Sequence, residues 1–147
     1  MDGADLSGES VNTKTLLELG RVSNLPTVWS NVLCALALAQ ALTLRAHVLM
    51  LAVIFSTFYV GGMYLNDAFD REIDATERPN RPIPSGQVSA RAVFTIGFGA
   101  LLGATLLLAV VARSMGASLY AAAASGAVLS ALIIFYDAYH KQNPLSP

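Results

Sequence analysis

Asn66-Asp67-Ala68-Phe69-Asp70-Arg71-Glu72-Ile73-Asp74 is the stretch of this chain best equipped for chemistry. Coiled as a helix at roughly 100° per residue, it places Asn66, Asp67, Asp70 and Asp74 within an arc of about 100°. Phe69 and Ile73 then fall on the opposite side, and Arg71 flanks the arc. Like charges at these spacings repel, and the C-terminal end of a helix is the wrong pole for anions. A hard divalent cation removes both penalties. Mg²⁺ takes carboxylate and amide oxygens, keeps several waters and bridges protein to phosphates. Spacing alone leaves two readings open, a metal-holding face and a run of solvated loop carboxylates.

The residues that follow favour the first. Arg78-Pro79-Asn80-Arg81-Pro82-Ile83-Pro84-Ser85-Gly86 cannot continue a helix, because the prolines forbid it and stiffen the turn. That turn is expected to hold Arg78 and Arg81 near the carboxylate face, where guanidinium forks suit phosphate oxygens. Carboxylates, a metal and two arginines would form a diphosphate cradle. The alternative for the arginines is a plain role as membrane-surface topology determinants.

These residues need elements to position them, and composition says which. Of 147 residues, 54% are apolar and 13% charged, against about 25% charged in a soluble domain. A net charge of −1 gives no reason to expect a nucleic-acid partner. The single cysteine, Cys34, reads as a small buried hydrophobe. Four apolar runs suit helices spanning a bilayer, the partner implied: 27–44, 48–65, 92–112 and 117–136. None contains Asp, Glu, Lys or Arg. Residues 1–26 read as a polar tail leading into the first span, 27–147 as the membrane domain, and 66–91 as the loop carrying the motif.

Lys14, Arg21, Arg71, Arg78, Arg81, Arg91 and Lys141 fall on one side of such a bundle, Arg45 and Arg113 on the other. The positive-inside bias therefore puts both termini and the motif loop in the cytoplasm. Gly99-Ala-Leu-Leu-Gly103, with Gly97 beside it, and the small residues from Ala121 to Gly126 are expected to be helix-packing surfaces. Core packing is the expectation for Phe58, Tyr59 and Tyr64, and an interfacial place for Asp137 and His140. His47 carries no assignment.

Asn66 to Asp74 resembles the N-D-x-x-D-x-x-x-D signature of the UbiA superfamily of intramembrane prenyltransferases. The R-P-N-R-P-I-P-S-G stretch, Arg21-Val-Ser-Asn24 and Tyr136-x-x-Tyr139-His140-Lys141 extend the likeness across the chain. The resemblance implies an all-α bundle of about nine transmembrane helices, of which this chain supplies the N-terminal four. It implies Mg²⁺ as cofactor, an isoprenyl diphosphate as donor and a hydrophobic, often aromatic, acceptor. Asn66, Asp67, Asp70 and Asp74 would hold metal, with Asn66, Asp70 and Asp74 central to catalysis. Arg78, Arg81 and Asp67 would bind the diphosphate, and Arg21 and Asn24 the acceptor side.

The family carries a second aspartate-rich motif in its C-terminal half, whereas Asp137 is the only acidic residue here after Glu77. A fragment is therefore expected, one that does not turn over without a C-terminal half or a second copy. The alternative is a catalytically dead protein that binds prenyl diphosphate or acts as a scaffold. CDP-alcohol phosphotransferases, which also hold Mg²⁺ on membrane aspartates, need a glycine soon after the paired aspartates and then an Ala-Arg pair, and Ala75 and Thr76 break that pattern. If two copies share one site, coexpressed Asp70→Asn is expected to poison wild-type activity; unchanged turnover would exclude sharing.

Overall fold

The computed structural model describes residues 12–41 and 45–139, and every regular element among them is helical. Asn12 opens the first helix, α1 (Thr13–Leu19), its side-chain oxygen accepting from Lys14 N at 3.0 Å. The backbone turns at Arg21, makes one 3₁₀ turn over Val22–Asn24 and enters α2 (Leu25–Leu38), with Pro26 in the first turn where its missing N–H costs nothing. Then follow α3 (Arg45–Phe69), α4 (Arg71–Glu77), α5 (Ala90–Ser114) and α6 (Leu119–Tyr139).

α3, α5 and α6 are long and apolar enough to cross a membrane, with the shorter apolar helix over Val22–Leu38 beside them. This is a polytopic, all-helical membrane architecture. The first expected span differs from the others. α2 has 14 residues, about 21 Å against a hydrocarbon core of about 30 Å. It stops because Gln40 takes a left-handed φ of 53°. Ala41 N then reaches back to Leu36 O and Gln40 N to Ala37 O, the closure usually made by glycine. Nothing in Ala39-Gln40-Ala41 announces it. Residues 42–44, which complete that expected span, lie outside the described residues, as do 1–11 of the tail, His140 and Lys141.

The expected tail gains structure, and one further expectation is corrected. The tail is helical where it is described, and α1 is seated on α3 with Leu19 and Thr15 buried. Cys34 is exposed on α2 rather than buried.

α3 packs against each of the other five helices. Its contact with α5 is made by a stripe at helical spacing, Val93, Gly97, Leu101 and Ala104, all buried. A Cβ on Gly97 would lie 2.8 Å from Leu65 Cγ, and one on Gly61 would lie 3.2 Å from Gly97 O. The two backbones touch because both residues lack side chains. Gly126 likewise meets Thr105 across the α5–α6 contact. Gly99 and Gly103, the pair with the four-residue spacing, face open space instead. They lie two positions along from Gly97 and Leu101, on the other side of the helix.

Gly97→Val therefore forces α5 off α3. The expected cost is about 1–3 kcal/mol, read as a lower unfolding midpoint in mixed micelles; Gly99→Val, lacking a neighbour, should leave the midpoint in place.

Candidate functional site

α3 has 25 residues, about 37 Å of helix and so several ångströms more than the hydrocarbon needs. Its last turn carries Asn66, Asp67 and Phe69. The helix bends at Asp70 and resumes as α4, yet the backbone ladder continues: Asp70 N bonds Asn66 O, Asp74 N bonds Asp70 O and Arg78 N bonds Asp74 O. Helical periodicity thus survives the bend, which is why Asp67, Asp70 and Asp74 are all buried together. Phe69 packs edge-on against Phe94 of α5, and the Arg71 guanidinium lies over the same ring, 5.8 Å from its centre. Those contacts fix the angle of the bend. Pro79 ends α4, since the residue before a proline is driven out of the helical region, and Arg78 sits at φ −142°.

Arg81 closes the face. Its Nη1 donates to Asp67 Oδ1 and to Asp74 Oδ2, both at 2.9 Å. A compact turn presents it, with Ser85 N and Gln87 N bonding back to Arg81 O and Pro82 O and Gly86 supplying a φ of 79°. A second guanidinium arrives from the opposite direction. Arg21 Nη2 donates to Asp67 Oδ1 at 3.3 Å and to Asn66 Oδ1 at 3.4 Å. Arg21 holds a left-handed φ of 44°, an uncommon conformation for a non-glycine residue, concentrated where the surroundings enforce it. The enforcement is visible. Leu19, Tyr64, Ala68, Val88 and Val93 form one buried cluster, Tyr64 OH donates to Leu16 O at 2.9 Å and Thr15 Oγ1 donates to Gln87 Oε1 at 3.2 Å. α1 and the end of the motif loop are clamped onto the same end of α3.

Asn66, Asp67, Asp74, Arg81 and Arg21 thus come together, with Asp70 buried on the same stretch of helix. Arg78 is exposed and Arg81 alone of the two loop arginines makes the ion pairs. Asn24 stands apart from the carboxylates, its Nδ2 donating to Tyr59 OH at 3.2 Å. Arg21, expected on the acceptor side, binds the carboxylate face directly.

One residue, expected at the interface, lies further inside. Asp137 is 6% exposed and lines a cavity of about 550 Å³ with Arg21, Asn66, Phe58, Tyr59 and Tyr136. Sequence reading ended the last span at Tyr136, but α6 runs on to Tyr139 and takes Asp137 inside. An ionisable residue within a membrane helix is itself a functional signal, and a boundary drawn three residues later would have raised it. Arg21, Asn66 and Asp137 form the polar end of the cavity, with Leu132, Ile133, Met63 and Phe58 along its apolar walls, and Arg21 links it to the ion pairs of Asp67. The cavity suits a molecule with a charged head and a hydrocarbon tail.

The donors fit magnesium chemically. All are oxygens, and Asp74 Oδ1 is buried with no hydrogen-bond partner among the described residues. Among those residues no three carboxylate, imidazole or thiol side chains converge as a finished cage.

A model of the UbiA prenyltransferase family matches residues 24–147. Several curated relatives carry the name digeranylgeranylglyceryl phosphate synthase. The protein of that name from Methanothrix thermoacetophila is 36% identical over 103 residues, 68% of this chain and 38% of its own length. Those from Methanopyrus kandleri and Methanoculleus marisnigri are 36% and 43% identical over 86 and 76 residues, covering 58% and 46% of this chain and 31% and 27% of theirs. The matched part of this chain thus spans little more than a third of the first relative and less of the others. No solved structure matches it significantly.

Tyr64→Phe removes the bond that ties α1 to α3. The expected cost is about 1 kcal/mol, with faster amide exchange confined to 13–21; uniform exchange changes would deny the clamp.

Proposed function

This chain belongs to the UbiA prenyltransferase family, and on that premise we propose that it forms the diphosphate-binding part of a magnesium-dependent prenyltransferase. The observation that supports this most is the ion-pair cluster of Asp67, Asp74, Arg81 and Arg21, whose Arg21 also lines a cavity with apolar walls. Asn66, Asp70 and Asp74, with Asp67 beside them, are the residues to hold Mg²⁺. Bound there, the ion supplies Lewis-acid stabilisation of negative charge on the departing diphosphate.

The remaining work falls to side chains. Arg81 and Arg21 turn their forks to the diphosphate oxygens, and exposed Arg78 adds a third cation from the loop. The bond between the allylic carbon and the diphosphate oxygen breaks with its electron pair on the diphosphate. Phe58 and Tyr59 line the cavity, and a cation there is attracted to the ring quadrupole. The apolar walls exclude water, which would otherwise capture that cation. The acceptor then bonds to the allylic carbon and loses its proton.

The relatives' name indicates the substrates. A synthase of a glyceryl phosphate bearing two geranylgeranyl groups, if a prenyltransferase, adds one such group to a glyceryl hydroxyl. We assign this chain the same donor class, a C20 isoprenyl diphosphate, and a prenylated glyceryl phosphate as acceptor, on the hydrophobic side of the hydrophobic or aromatic class expected from sequence. The motif end of the bundle is assigned to the cytoplasmic side, following the arginine bias.

Asp70→Ala and Asp74→Ala are each expected to abolish Mg²⁺-dependent binding of geranylgeranyl diphosphate, measured by calorimetry in nanodiscs. Normal binding by both variants would remove the site assignment.

A further inference from the structure

The carboxylates are already engaged. Asp74 is 1% exposed and Asp67 7%, and both accept from the same Nη1 of Arg81 at 2.9 Å. Asp67 Oδ1 also accepts from Arg21. Two buried carboxylates, Asp67 and Asp74, thus share two guanidinium groups, and their charges are already matched. That is a poor site for a bare dication. A metal taking Asp67 Oδ1 or Asp74 Oδ2 must also come within a few ångströms of the Arg81 charge, where screening by water is weakest. Of the Asp74 oxygens, Oδ1 stands ready, buried and with no hydrogen-bond partner among the described residues.

A diphosphate changes the balance. Its oxygens offer Arg81 and Arg21 a new anion at the mouth of the same cavity, which Arg21 lines. Once the arginines turn to it, the aspartate oxygens they held are released. We propose that Arg81, assisted by Arg21, is an internal counter-ion that occupies the metal-holding carboxylates until diphosphate arrives, so that metal and diphosphate bind only together.

This rests on the transferase reading but makes Arg81 more than a phosphate contact. It becomes a positioning residue that couples two ligands, and linkage requires the coupling to be reciprocal. Diphosphate must raise metal affinity by the same factor as metal raises diphosphate affinity. A permanently paired surface arginine would do neither.

The test uses the full chain in nanodiscs, with Mn²⁺ as probe read by electron paramagnetic resonance and inorganic diphosphate as the second ligand, the solution complex of the two subtracted. Wild type is expected to bind Mn²⁺ weakly alone and about tenfold or more tightly with diphosphate, within the usual span of coupling between sites. Arg81→Gln is expected to bind Mn²⁺ alone more tightly than wild type while showing a smaller diphosphate enhancement. The two changes have opposite sign, which loss of a simple phosphate contact does not produce. If Arg81→Gln does not fold, Arg21→Gln is to show the same pair of changes to a lesser degree. Unchanged or weaker Mn²⁺ binding in the folded variant, with diphosphate binding merely lost, overturns this inference and leaves the transferase reading standing. Absence of any Mn²⁺-dependent diphosphate binding in wild type removes both.

Discussion

Burying carboxylates at the edge of a membrane is costly, and in this molecule the cost is met by one guanidinium bridging two of them. The Arg81 contacts to Asp67 and Asp74 span the bend between α3 and α4, so the bend is an electrostatic as well as a steric object. Removing a charge from water takes several kcal/mol even after relaxation. The bridge is therefore a condition for Asp74 being buried at all. Much of the nearby architecture keeps that bridge in place: the proline-stiffened turn that carries Arg81, the Phe69–Phe94 contact that sets the bend, and the α1 clamp that delivers Arg21 from the other side.

The same arrangement ties packing to chemistry. α3 touches every other helix, and its contact with α5 is close because Gly61 and Gly97 allow backbone against backbone. Leu65 fills the remaining space and is completely buried. One turn further along the helix lie Asp67 and Ala68, so the register of that seam sets where the carboxylates stand relative to Phe94 and the cavity. A shift of α5 would move the cavity wall and the bend together.

What sequence reading could reach follows from how local each signal is. The spacing of Asn66, Asp67, Asp70 and Asp74 is a property of one helix, and burial of the three aspartates together follows from it. The turn over 78–86 was legible because proline acts on its own backbone, and three long apolar helices were legible from run length alone. Features that depend on distant residues were not. Arg21 meets Asn66 and Asp67 across more than forty residues, and only the seating of α1 on Tyr64 aims it there. Gly97 and Gly99 are alike in sequence, and only the partner helix distinguishes them. Gln40 ends α2 through a conformation its side chain does not favour. Asp137 was hidden by a boundary placed a few residues short.

The length of α3 bears on which lipids suit this protein. At about 37 Å the helix exceeds a hydrocarbon core of about 30 Å by only a few ångströms, and its last turn carries Asn66 and Asp67. In a thicker bilayer the helix would stand more upright or its carboxylate end would sink towards the acyl chains; in a thinner one it would tilt. Either response alters the hydration of the charged cluster without touching a side chain. Membrane thickness is thus built into the site as a physical variable, set by the lipids around it as much as by the residues within it.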